Sequence, residues 1–154
     1  MYKRQILGSD QGRTVYKKKL INLVERYSLN KKVKFIKHCK EMPLAYSLAD
    51  AIVSTSIEPE AFGRVAVEAQ SMGKPIIASN IGGSKETILN KKSGFLYKFD
   101  DPRELAKSLN TVIQLTQDEL RLIGNEGRKN ITKKFDVETM CETNLKEYKK
   151  LLKE

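Results

Sequence analysis

An α/β fold built on a doubly wound parallel sheet is what this 154-residue sequence predicts, and two observations carry that expectation. Short apolar runs suited to strands occur at 5–8, 33–36, 51–54, 75–79 and 94–97. Between them lie segments whose apolar residues recur at helical spacing. Such alternation calls for parallel strands joined by helical crossovers. The length leaves room for one domain over 1–154, with 100–154 supplying its C-terminal helices.

The first helix follows from Val15, Tyr16, Leu20, Leu23, Val24 and Tyr27, an apolar stripe of about four turns. Residues 42–48 read as a short helix before the strand at 51–54. Phe62, Val65, Ala66, Val67, Ala69 and Met72 make the next segment apolar nearly all round, the pattern of a helix buried inside a domain. Past residue 100 the reading is helical. Asp100, Asp101 and Pro102 form a helix start, followed by the stripe Leu105, Leu109, Val112 and Ile113. Leu120, Ile123, Gly127, Ile131 and Phe135 mark a second helix, and Asp136 caps a last one. The last helix carries Val137, Met140, Cys141, Leu145, Tyr148 and Leu151, an apolar stripe from which weak self-association is expected.

In an open parallel sheet, ligands bind beyond the carboxyl ends of the strands. The loops after Phe35, Ser54 and Ser79 are therefore the ones to inspect. The second leads into SIEPEAFGRVAVEAQSMGKPIIASNIGGSKE at 56–86. Gly63 stands where a helix begins, and free N–H groups with a positive dipole end favour an anion such as a diphosphate there. Arg64 in the first turn opposes the dipole unless an anion compensates it. Glu68 lies further along the helix, and its acceptor-only carboxylate suits a ribose diol. Glu60, on the preceding loop, would face a sugar. A plainer reading makes Glu60 a solvated loop residue, Gly63 a cap and Glu68 the partner of a lysine. Gly82 and Gly83 allow close backbone approach to a ligand or a tight turn, and Glu86 suits the start of the following helix.

The string as a whole resembles the C-terminal donor-binding domain of the retaining GT-B glycosyltransferases, whose pattern of Glu, seven residues, Glu is met by Glu60 and Glu68. The likeness extends over most of the chain: VKF and AYSLADAIVSTS before the site, GKPIIASNIGGSKE after it, and SGFLYKFDDPRELA beyond. The resemblance implies a Rossmann-like donor domain, the C-terminal half of a two-domain enzyme, beginning at what looks like its second strand. The first strand, with the loop that brings an arginine and a lysine to the diphosphate, and the N-terminal acceptor-binding domain are then expected to lie outside this sequence. By the same resemblance Glu60 is the catalytic residue at the transferred sugar. Phe62, Gly63, Arg64 and Val65 hold sugar and phosphates, and Glu68 holds the ribose. Lys37 and His38 would flank the base, with Lys37 standing where the family tends to have glycine.

The implied reaction moves a hexose, with retention, from a nucleoside-diphosphate sugar, UDP- or GDP-linked, to a glycan or lipid-linked acceptor in lipopolysaccharide or capsule synthesis. The sequence alone is expected to have little activity. The rival reading is a non-catalytic nucleotide-binding or interaction fragment. No cofactor and no metal is implied, since phosphate charge is met by helix dipole and basic residues and no Asp-x-Asp pair is present.

Twenty-nine Lys and Arg against 19 Asp and Glu give a net charge of +10. That balance suits an anionic partner, and runs such as Lys17–Lys19 and Lys133 with Lys134 would allow peripheral contact with the inner face of the cytoplasmic membrane. The basic residues are scattered without a nucleic-acid-binding motif, so no nucleic-acid partner is expected. Cys39 and Cys141 have neither metal-ligand nor disulfide-framework spacing, which suits a reducing cytoplasm. No apolar stretch reaches transmembrane length.

Overall fold

The computed structural model describes residues 4–152, and the chain divides into two compact units, residues 1–45 and residues 46–154. In the first, β1 (Arg4–Leu7) pairs in parallel with β2 (Val33–Ile36), with Arg4 opposite Val33 and Leu7 opposite Ile36. Helix α1 (Thr14–Arg26) makes the crossover. Its stripe is narrower than the sequence suggests. Leu20, Ile21 and Val24 are half-buried, while Val15, Tyr16, Leu23 and Tyr27 are exposed. Residues i, i+1 and i+4 share one helix face, and two strands cover no more of it than that.

Helix α2 (Met42–Ser47) runs across the division between the units. The second unit continues with β3 (Ile52–Ser54), α3 (Arg64–Ser71), β4 (Ile76–Ser79), α4 (Ser84–Thr87) and β5 (Gly94–Tyr97). Three longer helices follow: α5 (Pro102–Gln114), α6 (Gln117–Lys134) and α7 (Val137–Leu151). The strands form a parallel sheet in the order β3-β4-β5, with Ile52 opposite Ile76 and Ile76 opposite Gly94. Central β4 is buried throughout, as expected for a strand covered on both faces.

Those two faces have different coverings. Ile77 joins Tyr97, Val112 and Leu120, with Phe95, Leu105 and Leu109 packed around them, so α5 and the first turn of α6 cover that side. Alternation turns Ile76 and Ala78 the other way, to the side where α3 buries Ala66 and Ala69. Burying each isoleucine side chain contributes about 1.5–3 kcal/mol. Helix α6 lies against α3 closely enough that a Cβ on Gly124 would collide with the carbonyl of Gly73.

The helix ends are chemically specified. Asp101 accepts from the N–H groups of Arg103 and Glu104, with Pro102 in the first turn. Asp136 accepts from the Thr139 N–H at 2.7 Å. Thr116 and Glu119 form a reciprocal capping box that opens α6, a feature outside the sequence reading. Helix α7 buries no residue, and Met140, Leu145 and Tyr148 are each more than half exposed.

The α/β class with parallel strands and a helical C-terminus is as expected from the sequence, but the strands fall into two sheets. The physical reason lies in strand order. In the doubly wound order 3-2-1-4-5 the first strand sits between the second and the fourth. That order leaves some strands consecutive in sequence without a shared ladder, and here β2 and β3 share none, so among the described residues the strands form the pair β1-β2 and the trio β3-β4-β5.

Candidate functional site

The loop from β3 to α3 is built by hydrogen bonds from three directions. Ser79, at the end of β4, donates its hydroxyl to the Ser56 carbonyl at 2.7 Å. The Ser56 hydroxyl donates in turn to the carboxylate of Glu60. The Gly83 N–H donates to the Glu60 carbonyl at 2.8 Å. Gly82 and Gly83 are needed because the two backbones nearly touch: a Cβ on Gly82 would meet the Glu60 backbone, and one on Gly83 would meet that of Phe62. The close approach allowed by the double glycine is thus made to the Glu60 loop.

Gly63 is the N-cap of α3, at φ +74°, a left-handed conformation that favours glycine. Its carbonyl accepts from the Ala66 and Val67 N–H groups. The Arg64 and Val65 N–H groups come before any i−4 partner in the helix, so the helix start presents donors and a positive dipole end.

Helix α3 is not apolar-buried all round, which corrects the sequence expectation. Val65 and Met72 are more than a third exposed, and Phe62 precedes the helix, its ring edge-on to Phe135 at 5.8 Å. Ala66, Ala69 and Gln70 form the buried face, at the i, i+3, i+4 spacing of one helix side. Gln70 is fully buried and donates to the carbonyls of Ala66 and Thr87. Thr87 donates to the Gly83 carbonyl, tying the double-glycine turn to this buried polar cluster.

The open side of α3 carries Arg64 and Glu68. Glu68 Oε1 accepts from the Arg64 guanidinium at 3.1 Å, and Oε2 accepts from the Tyr46 hydroxyl at 2.8 Å. Glu68 is therefore paired, with the arginine of its own helix and a phenol rather than with a lysine. Burial holds the Tyr46 phenol well above its ordinary value, and the hydrogen bond and negative charge of Glu68 add to this while Arg64 opposes it. It is a permanent donor near neutral pH.

Glu60, Phe62, Gly63, Arg64, Val65 and Glu68 thus lie together in the second unit, along one loop and the first two turns of one helix. Lys37 and His38 are exposed on the loop after β2, in the first unit. Tyr46 and Ser56 escaped the sequence reading. Ser56 stands four residues before Glu60 and had a weak local signal, whereas Tyr46 is 22 residues from Glu68 and had none. Among the described residues, no group of three or more His, Cys, Asp or Glu side chains could hold a metal ion.

Parallel strands with helices on both faces, and a polar loop and helix start beyond a strand end, define an α/β domain of the nucleotide-binding type. The model of the family described as glycosyl transferases group 1 matches residues 5–130, and the chain belongs to that family. It is 31% identical over 126 residues to the capsular polysaccharide biosynthesis glycosyltransferase CapM of Staphylococcus aureus, covering 81% of this chain and 32% of the relative. A glycosyltransferase from Rickettsia africae superposes with a TM-score of 0.91 at 30% identity, over 99% of this chain and 41% of that one. HepE from Anabaena in complex with UDP gives 0.88 at 30% identity, over 97% and 41%. HepE is also known in complex with UDP-glucose. These neighbours are GT-B glycosyltransferases, and the chain spans about two-fifths of their length, consistent with a C-terminal half.

Proposed function

We propose that this chain forms the donor-binding part of a retaining glycosyltransferase that takes a hexose from a nucleoside-diphosphate sugar, a UDP-sugar first among the candidates. The observation that carries the reading is the placement of Glu60 and Glu68 on either side of the left-handed Gly63, at the start of α3. In this reading Glu60 faces the transferred sugar. The backbone from Phe62 to Val65 and the Arg64 side chain meet the phosphates, and Glu68 takes the ribose. Phosphate charge is balanced by the helix start and basic side chains, with no metal and no cofactor required. HepE, a similar protein, has UDP and UDP-glucose bound, which supports the choice of nucleotide.

The acceptor is proposed to be a glycan or lipid-linked sugar in capsule- or lipopolysaccharide-type synthesis, a reading supported by the likeness to CapM. The acceptor-binding domain is proposed to be a separate part of the enzyme. A cytoplasmic location with peripheral contact at the inner membrane face is supported by the net charge of +10. Among the described residues no helix is long and apolar enough to cross a membrane.

Calorimetric titration with UDP, GDP and ADP tests the donor site. Saturable binding of one nucleotide is expected, weakened in Glu68→Ala by about 1–3 kcal/mol, the cost of leaving ribose hydroxyls unpaired. Equal binding by the variant would rule out the ribose role of Glu68, and absence of binding to all three would overturn the reading.

A further inference from the structure

The two hydrogen bonds on Glu68 are unlike each other, and the difference assigns roles to both donors. Tyr46 is 4% exposed and sits at 2.8 Å from Oε2, its ring fixed by burial. The Arg64 side chain is 85% exposed and meets Oε1 at 3.1 Å, as an i,i+4 surface pair. Such exposed pairs contribute little, whereas a buried phenol cannot leave without stranding its own hydroxyl. One partner of Glu68 is therefore fixed and the other is easily exchanged.

We propose that Tyr46 is the positioning residue of Glu68, and that Arg64 occupies the Oε1 site only until a nucleoside diphosphate displaces it. The proposal rests on the donor-site reading above. Tyr46 consumes one acceptor direction of Oε2 and fixes the plane of the carboxylate. Oε1, on the open side of α3, is then the oxygen presented to a ribose hydroxyl. Arg64 lies one helical turn from Glu68, toward the helix start where the diphosphate would lie. When the nucleotide enters, a ribose O–H takes the place of the guanidinium at Oε1, and the guanidinium turns to a phosphate oxygen. No covalent bond changes and no proton is transferred. The exchange keeps both oxygens of Glu68 hydrogen-bonded in both states, while the guanidinium charge passes from the carboxylate to the phosphate.

Two variants separate these roles from mere structural support. Tyr46→Phe keeps the packing and removes only the hydroxyl. In calorimetric titrations with UDP and 2′,3′-dideoxy-UDP, which lacks both ribose hydroxyls, it should lower the preference for the ribonucleotide by about 3–10-fold, the scale of one misdirected hydrogen bond, with dideoxy-UDP affinity unchanged. Arg64→Ala should act with opposite signs on two ligands. It should weaken UDP binding, because a phosphate contact is lost. It should strengthen the binding of uridine, followed by NMR titration, because nothing then competes for Oε1. A Tyr46→Phe variant that loses affinity equally for the ribo and dideoxy nucleotides, or keeps its preference, overturns the positioning role. Uridine binding that falls or stays unchanged in Arg64→Ala overturns the exchange. If the unaltered chain binds none of UDP, GDP and ADP, the donor-site reading fails and takes this inference with it; if it binds GDP or ADP instead of UDP, the same comparisons are made with that nucleotide, its dideoxy form and its nucleoside. Unaltered binding of UDP in the natural sequence, together with either negative result, overturns this inference alone.

Discussion

The two units share one local grammar and reach different outcomes. Each is strand, helix, parallel strand, yet among the described residues of the first unit none is fully buried, while the second encloses Ile76, Ile77, Ala66 and Ala69 completely or nearly so. The difference is sheet width. Two strands offer one crossover helix a narrow floor, and isolated two-stranded sheets are marginal in water. Three strands with a buried centre can carry helices on both faces, which is what β4 does with α5 on one side and α3 on the other. Local pattern therefore makes the elements, but only a buried central strand makes a core.

Emptying matching positions in the two units should give the largest effects. Ile77→Ala should cost about 2–5 kcal/mol in urea unfolding followed by circular dichroism. Val33→Ala, in half-buried β2, should cost about 1 kcal/mol or less. Equal losses would mean that both units share one level of packing. Next in size is Gly83→Ala, expected to destabilise by about 1–3 kcal/mol because the added methyl meets the Phe62 backbone. Its effect should extend to nucleotide affinity, through displacement of the Glu60 loop, and normal affinity would show that this contact does not set the site.

Smaller effects sharpen the contrast inside the second unit. Helix α7 is as exposed as α1, so removing its cap with Asp136→Ala should lower stability slightly and appear as local fraying. Hydrogen exchange should register that fraying at the start of α7 and leave β4 unaffected. The smallest effect emerges only in alkali. Tyr46 is held above its ordinary value of 10.0, so the unfolded chain loses that proton first. As pH rises past about 10 the folded state binds more protons than the unfolded one, and stability falls. Tyr46→Phe should flatten that decline, and an unchanged alkaline limb would show that the phenol contributes nothing to it.

Much of this was legible in the sequence because it was local. Strand and helix positions follow apolar period, and the caps at Asp101 and Asp136 stand where an acidic residue opens an apolar stripe. The Glu60, Gly63 and Glu68 spacing places both carboxylates on one loop and helix without any tertiary information. What stayed hidden depends on residues far apart in the chain. No periodicity couples Tyr46 to Glu68, or places the Gln70 amide against the Thr87 carbonyl. The all-round apolar reading of α3 failed because composition does not say which side meets the sheet. Arg64 was read for its conflict with the helix dipole, while its pairing with Glu68 is an ordinary i,i+4 contact that resolves part of that conflict. The split of the strands into two sheets follows from topology, which element order alone does not display.

The double-glycine turn holds the Glu60 loop by main-chain atoms: a Gly83 N–H on a carbonyl, and two bare Cα positions against backbone. That part of the grip needs no side chain of the loop itself. The exposed side chains of Ile57, Glu58 and Ala61 take no part in that hold, so replacing them should leave the main chain at Glu60 where it is.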